Sequence, residues 1–183
     1  MNIAIFGGSF DPVHLGHIEI VKKALKDKDI DKIIIIPNYL NPLKNSFSAP
    51  PELRFEWLKK VFSDFANVEI SNFEIKKNRP VYSIETIEYF KPKYFIIGSD
   101  NLKTLDKWKD IDKILKKVEF IVAKRGEIDE NLLKKYDIKK IIDVNVPISS
   151  TEIRNCKFKY LPKKIEKEIK EFYGQNCKNK RAT

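Results

Sequence analysis

The feature that most constrains the fold is a pair of short segments without a single polar residue. Residues 33–36 read Ile-Ile-Ile-Ile, and residues 95–97 read Phe-Ile-Ile. A strand with one face in water alternates apolar and polar side chains, whereas a strand covered on both faces is apolar throughout. Both segments are therefore predicted to be strands of a parallel sheet with helices packed above and below it.

Similar apolar, β-branched segments recur along the chain with helical stretches between them. We place strands at residues 3–6, 32–36, 68–75, 94–97, 120–123 and 141–146, and a last helix at 162–173. This alternation predicts an α/β fold, a doubly wound, Rossmann-like domain with a parallel sheet flanked by helices. Since 183 residues with 42% hydrophobic content can bury one substantial core, residues 1–183 are interpreted as a single domain, with 177–183 as a frayed basic tail.

Composition argues against a membrane or secreted protein. No apolar run approaches the length of a membrane helix, and the N-terminus enters a strand at once. The two cysteines, Cys156 and Cys177, make no disulfide framework and suit a reducing compartment. The predicted location is therefore the cytoplasm.

The charge of the chain is strongly positive, at +10 near neutral pH. Its 36 basic residues are scattered along the helices, mostly with acids close by, which is typical of solvated faces rather than of a nucleic-acid site. The net charge still helps to attract anionic small molecules. We therefore predict small anionic ligands and no nucleic-acid or membrane partner.

The first apolar segment leads into the motif Gly-Gly-Ser-Phe-Asp-Pro-Val-His-Leu-Gly-His at residues 7–17, which holds both histidines of the chain. A strand that breaks into glycines and a proline corner before a helix leaves backbone N–H groups unpaired, and such a corner suits phosphate. His14 and His17 are three residues apart, so at a helix start they are predicted to face one bound group, and Gly16 leaves room for it. The phosphate motifs GxGxxG and GxxxxGK[ST] are absent.

An HxxH metal site is the alternative interpretation of the two histidines. A zinc site needs further ligands nearby, and Cys156 and Cys177 lie far away in the sequence with unmatched spacing. We therefore predict no protein metal site.

Further polar residues follow the other predicted strands, where ligands of such sheets bind. In the loop 37–44, Lys44 is either a phosphate partner or a mobile surface lysine. Ser83 is the expected N-cap of a helix. Asp100 either caps a helix or accepts a hydrogen bond from a ribose, and Trp108 either packs in the core or stacks on a ring.

The last two strands also end in polar residues. Arg125 follows the fifth strand, and hydroxyls at Ser149, Ser150 and Thr151 precede Arg154 by about one turn. Hydroxyls at a helix start are good caps by themselves, and together with a guanidinium they also form an anion site. The sequence therefore offers basic and hydroxyl groups at several points of one sheet edge.

Taken in order, the motifs GSFDPVHLGH, PNYLNPLK, GSDNLKTLDKW, AKRG and ISSTEIR resemble the bacterial nicotinate mononucleotide adenylyltransferases of the (H/T)xGH nucleotidyltransferase superfamily. The resemblance covers nearly the whole chain. It implies transfer of an adenylyl group from ATP to nicotinate mononucleotide, which gives nicotinate adenine dinucleotide and pyrophosphate for NAD synthesis. It also implies Mg²⁺ carried with ATP, and a homo-oligomer is compatible with it.

The resemblance also implies roles for particular residues of this sequence. The residues expected to act on the reacting phosphates are His14, His17 and Arg154. The residues expected to bind ATP are Gly7, Gly8, Ser9, Phe10, Gly16, Gly98, Asp100, Ser149, Ser150 and Thr151. The residues expected to bind the mononucleotide are Lys44, Ser83, Trp108 and Arg125. One departure is Leu43, which stands where the loop pattern PPHK of the family has a histidine.

Two other functions share parts of this pattern. A phosphopantetheine adenylyltransferase resembles the chain in its first motif and in its serine-rich late motif, although the segments 37–44 and 98–108 favour the pyridine nucleotide enzyme. A non-catalytic protein of the same fold that senses nucleotides or binds RNA fits the positive charge. The intact His14, His17 and Arg154 count against it.

Overall fold

The computed structural model describes residues 1–181, with side chains described through Cys177. Its strands are β1 (Ile3–Gly8), β2 (Lys32–Pro37), β3 (Val68–Ile70), β4 (Tyr94–Gly98), β5 (Glu119–Lys124) and β6 (Lys140–Asp143). Its α-helices are α1 (Leu15–Ala24), α2 (Pro51–Phe62), α3 (Phe73–Lys76), α4 (Ser83–Phe90), α5 (Ile111–Lys117), α6 (Glu130–Lys135), α7 (Ser150–Arg154) and α8 (Glu166–Arg181). A 3₁₀-helix spans Ser99–Lys107.

All strand pairs are parallel, and the sheet order is β3-β2-β1-β4-β5-β6. The order reverses at β1, which pairs with β2 on one side and with β4 on the other, so that Ile5 lies opposite both Ile34 and Phe95. Ligands of open parallel sheets bind beyond the carboxyl ends of the strands at such a reversal. The predicted α/β, Rossmann-like fold is therefore confirmed, and the motif after β1 lies at its switch point.

Each central strand contributes to two apolar cores, one on each face of the sheet. Ala4, Ile33 and Ile35 pack into the core on the side of α1, α2 and α8. The alternate residues Ile5 and Ile34 pack into the opposite core, under α4, α5 and the 3₁₀-helix. Because successive strand side chains point to opposite faces, burial on both sides explains why these segments contain no polar residue.

Three predicted segment boundaries differ from the structure, one of them at β6, which ends at Asp143 instead of residue 146. The third strand ends at Ile70 instead of residue 75, because the Ser71 side chain accepts the N–H of Phe73 and starts α3. The last helix spans Glu166–Arg181, so it continues through part of the segment predicted to be a frayed tail. Residues 182 and 183 lie outside the described residues.

The prediction that the cysteines form no disulfide is wrong. Cys156 and Cys177 are bonded, with their Cα atoms 5.9 Å apart. The chain reverses after α7 and returns as α8, which brings the two cysteines together although 21 positions separate them. In a separate finding, no helix of residues 1–181 combines the length and apolarity that a bilayer crossing requires.

Candidate active site

The histidine pair lies where β1 passes into α1. The His14 and His17 ring centroids are 3.9 Å apart. His14 is the N-cap of α1, and its Nδ1 accepts the N–H of Gly16 at 3.1 Å, while the Nδ1 of His17 accepts the N–H of His14 at 3.1 Å. The proton of each neutral ring therefore sits on Nε2. The two rings lie side by side at the helix start, as their spacing predicted.

Both imidazoles are neutral at physiological pH. Burial, with a further contribution from the Arg125 guanidinium, lowers the pKa of His14 to about 3. Burial, His14 and Arg125 lower the pKa of His17 well below its usual value. His14 is fully buried, and its Nε2 has no hydrogen-bond partner within residues 1–181. A buried donor without a partner is costly, so a ligand oxygen at this point would gain a full hydrogen bond.

Gly16 is the motif glycine at which the neighbouring side chains leave no room for a Cβ atom. A Cβ at this position would lie 2.9 Å from His14 Cε1 and 3.2 Å from Arg125 Nη2. Any side chain here would push the imidazole and the guanidinium apart. Gly16 therefore permits the Arg125 guanidinium to approach the histidine pair, whereas the sequence predicted that its space would serve a bound group.

The remaining motif residues divide between the site and its support. The Ser9 hydroxyl accepts the amide of Asn38 at 3.4 Å, and the carbonyl of Gly8 accepts the N–H of Asn38 at 3.0 Å. The structure places Phe10 in the core, at 3% exposure, with its ring edge-on to His17 at 5.0 Å. The Phe10 ring is therefore buried and packs against His17. Gly7 lies within β1 against the ring of Phe95.

The hydroxyl-rich helix α7 docks directly on the first motif. Arg154 Nη1 donates to the main-chain oxygen of Asp11 at 2.6 Å, and the Ser150 hydroxyl donates to the main-chain oxygen of Pro12 at 2.8 Å. Thr151 Oγ1 accepts from Arg154 Nη2 at 3.0 Å. Ser149 caps α7 by accepting the N–H of Glu152 at 3.2 Å. The predicted meeting of the first and last motifs is present, and Ser150 and Arg154 make its hydrogen bonds, while the Ser149 and Thr151 hydroxyls bond within α7.

Arg125 reaches the histidine pair from the end of β5. Its Nη1 donates to the main-chain oxygen of Ile148 at 3.2 Å, and its main-chain N–H donates to Ser99 Oγ at 3.4 Å. Burial lowers its pKa, against the opposing effect of the Asp100 carboxylate. The structure thus places Arg125 beside His14 and Gly16, at the histidine end of the site, whereas the resemblance assigned this residue to the mononucleotide.

Gly98 and Asp100 lie at the carboxyl end of β4. Gly98 is the last residue of that strand, and its carbonyl accepts the amide of Asn101 at 3.4 Å. Asp100 is exposed in the first turn of the 3₁₀-helix, close enough to influence Arg125. Both residues therefore share the sheet edge with the histidine motif.

Residues 38–50, here called the lysine loop, close a cavity of about 170 Å³ against the first and last motifs. Its lining residues are Ser9, Asp11, Asn38, Leu40, Asn41, Lys44, Ser46, Phe47, Ser48 and Arg154. Partial burial and the nearby Arg154 guanidinium lower the pKa of Lys44. The first motif, the lysine loop and the end of α7 thus meet around one cavity that contains the cationic side chains of Lys44 and Arg154.

Sequence reasoning missed the residue that anchors the lysine loop. Arg54 on α2 is completely buried, and its guanidinium donates to the main-chain oxygens of Ser9 at 2.6 Å, Tyr39 at 2.9 Å and Ala49 at 3.0 Å. An arginine on the same face of α2 as Trp57 was the available signal. Arg54 donates to main-chain carbonyls and does not line the cavity, so it holds the backbone around the cavity in place.

Ser83 and Trp108 lie on a second group of loops. Tyr82 is the N-cap of α4 and Ser83 its first residue, so the prediction that Ser83 caps this helix is wrong: Glu85 accepts the N–H of Tyr82 and makes a serine cap unnecessary. Within residues 1–181 the Ser83 hydroxyl has no partner. Lys109 Nζ lies 4.6 Å from the Tyr82 ring centroid, which joins this loop to the one that holds Trp108.

Trp108 ends the 3₁₀-helix and is partly buried. Its ring packs against Phe95 at 5.8 Å and Phe120 at 6.2 Å. One side of the indole therefore rests on the core, while the rest of it remains accessible beside the loop of Ser83. No hydrogen bond, ion pair or ring contact of the described residues joins this pair of loops to the cavity of the lysine loop. Residues 1–181 also contain no cluster of three His, Cys, Asp or Glu side chains arranged as a metal site.

A parallel sheet whose switch point carries a histidine pair and nearby cationic side chains is compatible with the nucleotidyltransferase class that the motifs implied. Residues 5–156 match the family model described as Cytidylyltransferase-like, and the chain belongs to this family.

The chain is 51% identical over 180 residues to a probable nicotinate-nucleotide adenylyltransferase of a Nitratiruptor species, across 94% of this chain and 99% of the relative. It is 46% identical over 176 residues to a protein of the same name from Aliarcobacter butzleri, across 92% of this chain and 95% of that one. The Plasmodium falciparum nicotinic acid mononucleotide adenylyltransferase complexed with NaAD matches with a TM-score of 0.69 at 25% identity, over 84% of this chain and 82% of that chain. The resemblance inferred from the motifs is confirmed.

Proposed function

We propose that the protein is an enzyme that transfers an adenylyl group from ATP to nicotinate mononucleotide, giving nicotinate adenine dinucleotide and pyrophosphate. The observation that carries this proposal is the convergence of a neutral histidine pair, Arg125, Arg154 and Lys44 at one switch point. The names of the relatives support the same substrates.

The residues suit a reaction between two anions. An oxygen of the mononucleotide phosphate attacks the α-phosphorus of ATP, a new P–O bond forms, and the bond from the α-phosphorus to the bridging oxygen breaks to release pyrophosphate. A phosphate monoester has a second pKa of about 6, so it is largely ionised at pH 7 without a general base. The protein needs only to align the two phosphates and to stabilise the charge that develops.

Each cationic or donor group has a place in this alignment. We assign the Nε2–H groups of His14 and His17 to oxygens of the ATP phosphates, because His14 Nε2 is a buried donor without a protein partner in residues 1–181. Arg125 and Arg154 flank these oxygens and supply a permanent positive charge. Lys44, across the cavity from Arg154, is assigned to the phosphate of the mononucleotide.

Two further assignments follow from the second group of loops. The free hydroxyl of Ser83 and the accessible side of Trp108 are proposed to receive the nicotinate ring.

Mg²⁺ is proposed to enter with ATP, because this ion is usually bound through substrate phosphates and only one or two carboxylates. The cytoplasmic location and a homo-oligomer stay predictions, and the paired cysteines remove one argument for the first.

A parallel substrate test decides between this reaction and its competitors. Purified protein is incubated with ATP and Mg²⁺ together with nicotinate mononucleotide, nicotinamide mononucleotide or phosphopantetheine, and pyrophosphate and the adenylylated product are measured. We expect turnover with nicotinate mononucleotide above all. Pyrophosphate release with phosphopantetheine alone would overturn the substrate assignment, and no release with any of the three would favour a non-catalytic protein.

A further inference from the structure

Asp11 is a buried junction between four parts of the chain. Its carboxylate accepts the main-chain N–H groups of Ser48 at 2.8 Å and Ala49 at 3.0 Å, and it also accepts the hydroxyl of Tyr173. Its main-chain oxygen accepts Arg154 Nη1 at 2.6 Å. The first motif is thereby tied to the lysine loop, to α7 and to α8 through one residue that is 5% exposed.

Tyr173 contributes to this junction from a distant part of the chain. It lies on α8, is 1% exposed, and packs its ring against Trp57 and Phe172 at centroid distances of 6.0 and 4.9 Å. Burial and the Asp11 carboxylate raise the pKa of Tyr173, so its hydroxyl remains a donor across the physiological range. The proposed reaction makes no direct use of this hydroxyl.

We propose that Tyr173 is a positioning residue for adenylyl transfer: by fixing the Asp11 carboxylate, it sets the distance between the lysine loop and Arg154. The proposal rests on the proposed function. A buried carboxylate that loses a donor rotates toward its remaining donors, which are the N–H groups of the lysine loop. That movement shifts Lys44 relative to Arg154, and a displacement of about 1 Å in a site that aligns two phosphates costs roughly 100-fold in rate.

The geometry also separates positioning from simple stability. A merely structural role of the hydroxyl lowers the fraction of folded enzyme, which reduces kcat in proportion and leaves KM unchanged. A positioning role moves the group that binds the mononucleotide phosphate, so it raises KM for that substrate as well. The split between KM and kcat therefore distinguishes the two roles.

The test is the substitution Tyr173→Phe in the full chain, which removes one oxygen and keeps the ring. Steady-state rates of pyrophosphate release are measured with nicotinate mononucleotide and with Mg²⁺·ATP as the varied substrate, well below the unfolding temperature. We expect kcat/KM for the mononucleotide to fall roughly 10-fold to 100-fold, with a raised KM. Tyr136→Phe, at a buried tyrosine that ends α6 in the core on the other face of the sheet, is the matched control and should leave both constants unchanged.

A double-mutant cycle makes the test specific to the pair. If Tyr173 acts through Asp11, the loss in Tyr173→Phe combined with Asp11→Asn is smaller than the product of the two single losses. Wild-type kcat and KM in a folded Tyr173→Phe enzyme would overturn the proposal, and so would fully multiplicative losses.

The proposed function can fail separately from this proposal. If the wild-type protein releases no pyrophosphate from nicotinate mononucleotide, the substrate assignment is wrong, and the pair is tested instead by the Kd of inorganic phosphate, a probe of the cavity lined by Lys44 and Arg154, measured by titration calorimetry. A Kd at least roughly 5-fold weaker in Tyr173→Phe than in Tyr136→Phe would support positioning of the phosphate site, by the same loss of a charged hydrogen bond. An unchanged Kd would refute it.

Discussion

His14 and His17 each use Nδ1 to accept a main-chain N–H at the start of α1. His14 Nδ1 accepts the N–H of Gly16, His17 Nδ1 accepts the N–H of His14, and the two rings lie 3.9 Å apart. This arrangement consumes both Nδ1 atoms and leaves the two Nε2–H groups as donors. The helix start thus sets the tautomer of both imidazoles before any ligand arrives.

Replacing His17 tests the histidine pair directly. We expect His17→Ala to remain folded and to lose roughly 100-fold to 1,000-fold in kcat, the usual effect of removing one donor to developing phosphate charge. The lost hydrogen bond from the His14 N–H to His17 Nδ1 should cost about 1 kcal/mol of stability. Pyrophosphate release and thermal unfolding measure the two effects. Lys22→Ala, on the exposed side of the same helix, is the control, and near wild-type turnover in His17→Ala would refute the role of His17.

The lowered pKa values of the histidines make a prediction about pH. Since the pKa of His14 lies at about 3 and that of His17 is also depressed, neither ring should titrate in the native protein between roughly pH 5 and 8. The pH profile of kcat/KM for the mononucleotide should then show one ionisation at about 6, that of the substrate phosphate. Histidine signals in NMR spectra give the independent measurement, and a native histidine pKa close to the ordinary value of about 6.5 would contradict the buried, neutral pair.

The lowered pKa values of the histidines also predict how stability depends on pH. Unfolded histidines bind a proton below about pH 6.5, whereas the folded pair does not. The contribution of the two histidines to the free energy of unfolding therefore decreases as the pH falls below that value.

Lys44 is expected to act on one substrate more than on the other. Lys44→Ala removes the cation proposed to face the mononucleotide phosphate, so KM for the mononucleotide should rise roughly 10-fold or more, since charge-assisted hydrogen bonds are the stronger ones. KM for ATP should change much less. Lys28→Ala, at an exposed lysine after α1, controls for the loss of one positive charge. Equal effects of Lys44→Ala on both KM values would contradict the assignment.

Replacing the buried Glu74 is expected to stabilise the protein. It is 8% exposed, accepts the hydroxyl of Thr86 at 2.6 Å, and burial raises its pKa to about 7. The native state thus binds more protons at Glu74 than the unfolded state does between the ordinary glutamate pKa and about 7, so the contribution of Glu74 to stability falls as the pH rises through this window. Glu74→Gln keeps the acceptor and removes the buried charge. The free energy of unfolding at about pH 8, from urea denaturation, should rise by about 1–3 kcal/mol.

Glu85 supplies the opposite control for this prediction. Arg79 holds the pKa of Glu85 below its ordinary value through a 2.6 Å ion pair. Glu85→Gln should therefore lower stability under the same alkaline conditions in which Glu74→Gln raises it. Two changes of the same sign would show that net charge, and not local burial, controls the effect.

The disulfide predicts a redox-dependent stability. Cys156 and Cys177 are separated by 21 positions, for which loop closure gives about 3 kcal/mol. The double substitution Cys156→Ser with Cys177→Ser should lower the unfolding free energy of oxidised protein by about 2–4 kcal/mol. Dithiothreitol should lower that of the wild type by the same amount and leave the double variant unchanged. Free thiols in the oxidised wild type would contradict the pairing.

Local patterns were sufficient to predict the sheet and the position of the first motif. The run Ile33–Ile36 is apolar because both faces are buried, and the glycines and proline of residues 7–17 mark the turn at the switch point. Hydrophobic periodicity depends on local burial, which the sequence contains directly. The histidine spacing similarly predicted a shared side.

Long-range contacts could not be predicted in this way. The hydrogen bonds of Arg54 to three main-chain carbonyls, the bond between Tyr173 and Asp11, and the disulfide all depend on how distant segments pack. Main-chain acceptors have no sequence signature, because every residue offers one. Ser83 shows the same limit locally, since the Glu85 side chain replaced the expected serine cap.

The bond between Tyr173 and Asp11 joins residues 162 positions apart, which has a consequence for how the enzyme matures. On the ribosome, Asp11 emerges roughly 10–30 s before its partner at ordinary rates of translation. A nascent chain can form β1 and its neighbours early, but the cavity beside Asp11 acquires its final shape only when α8 is released and docks. The site is therefore completed only after α8 has been synthesised.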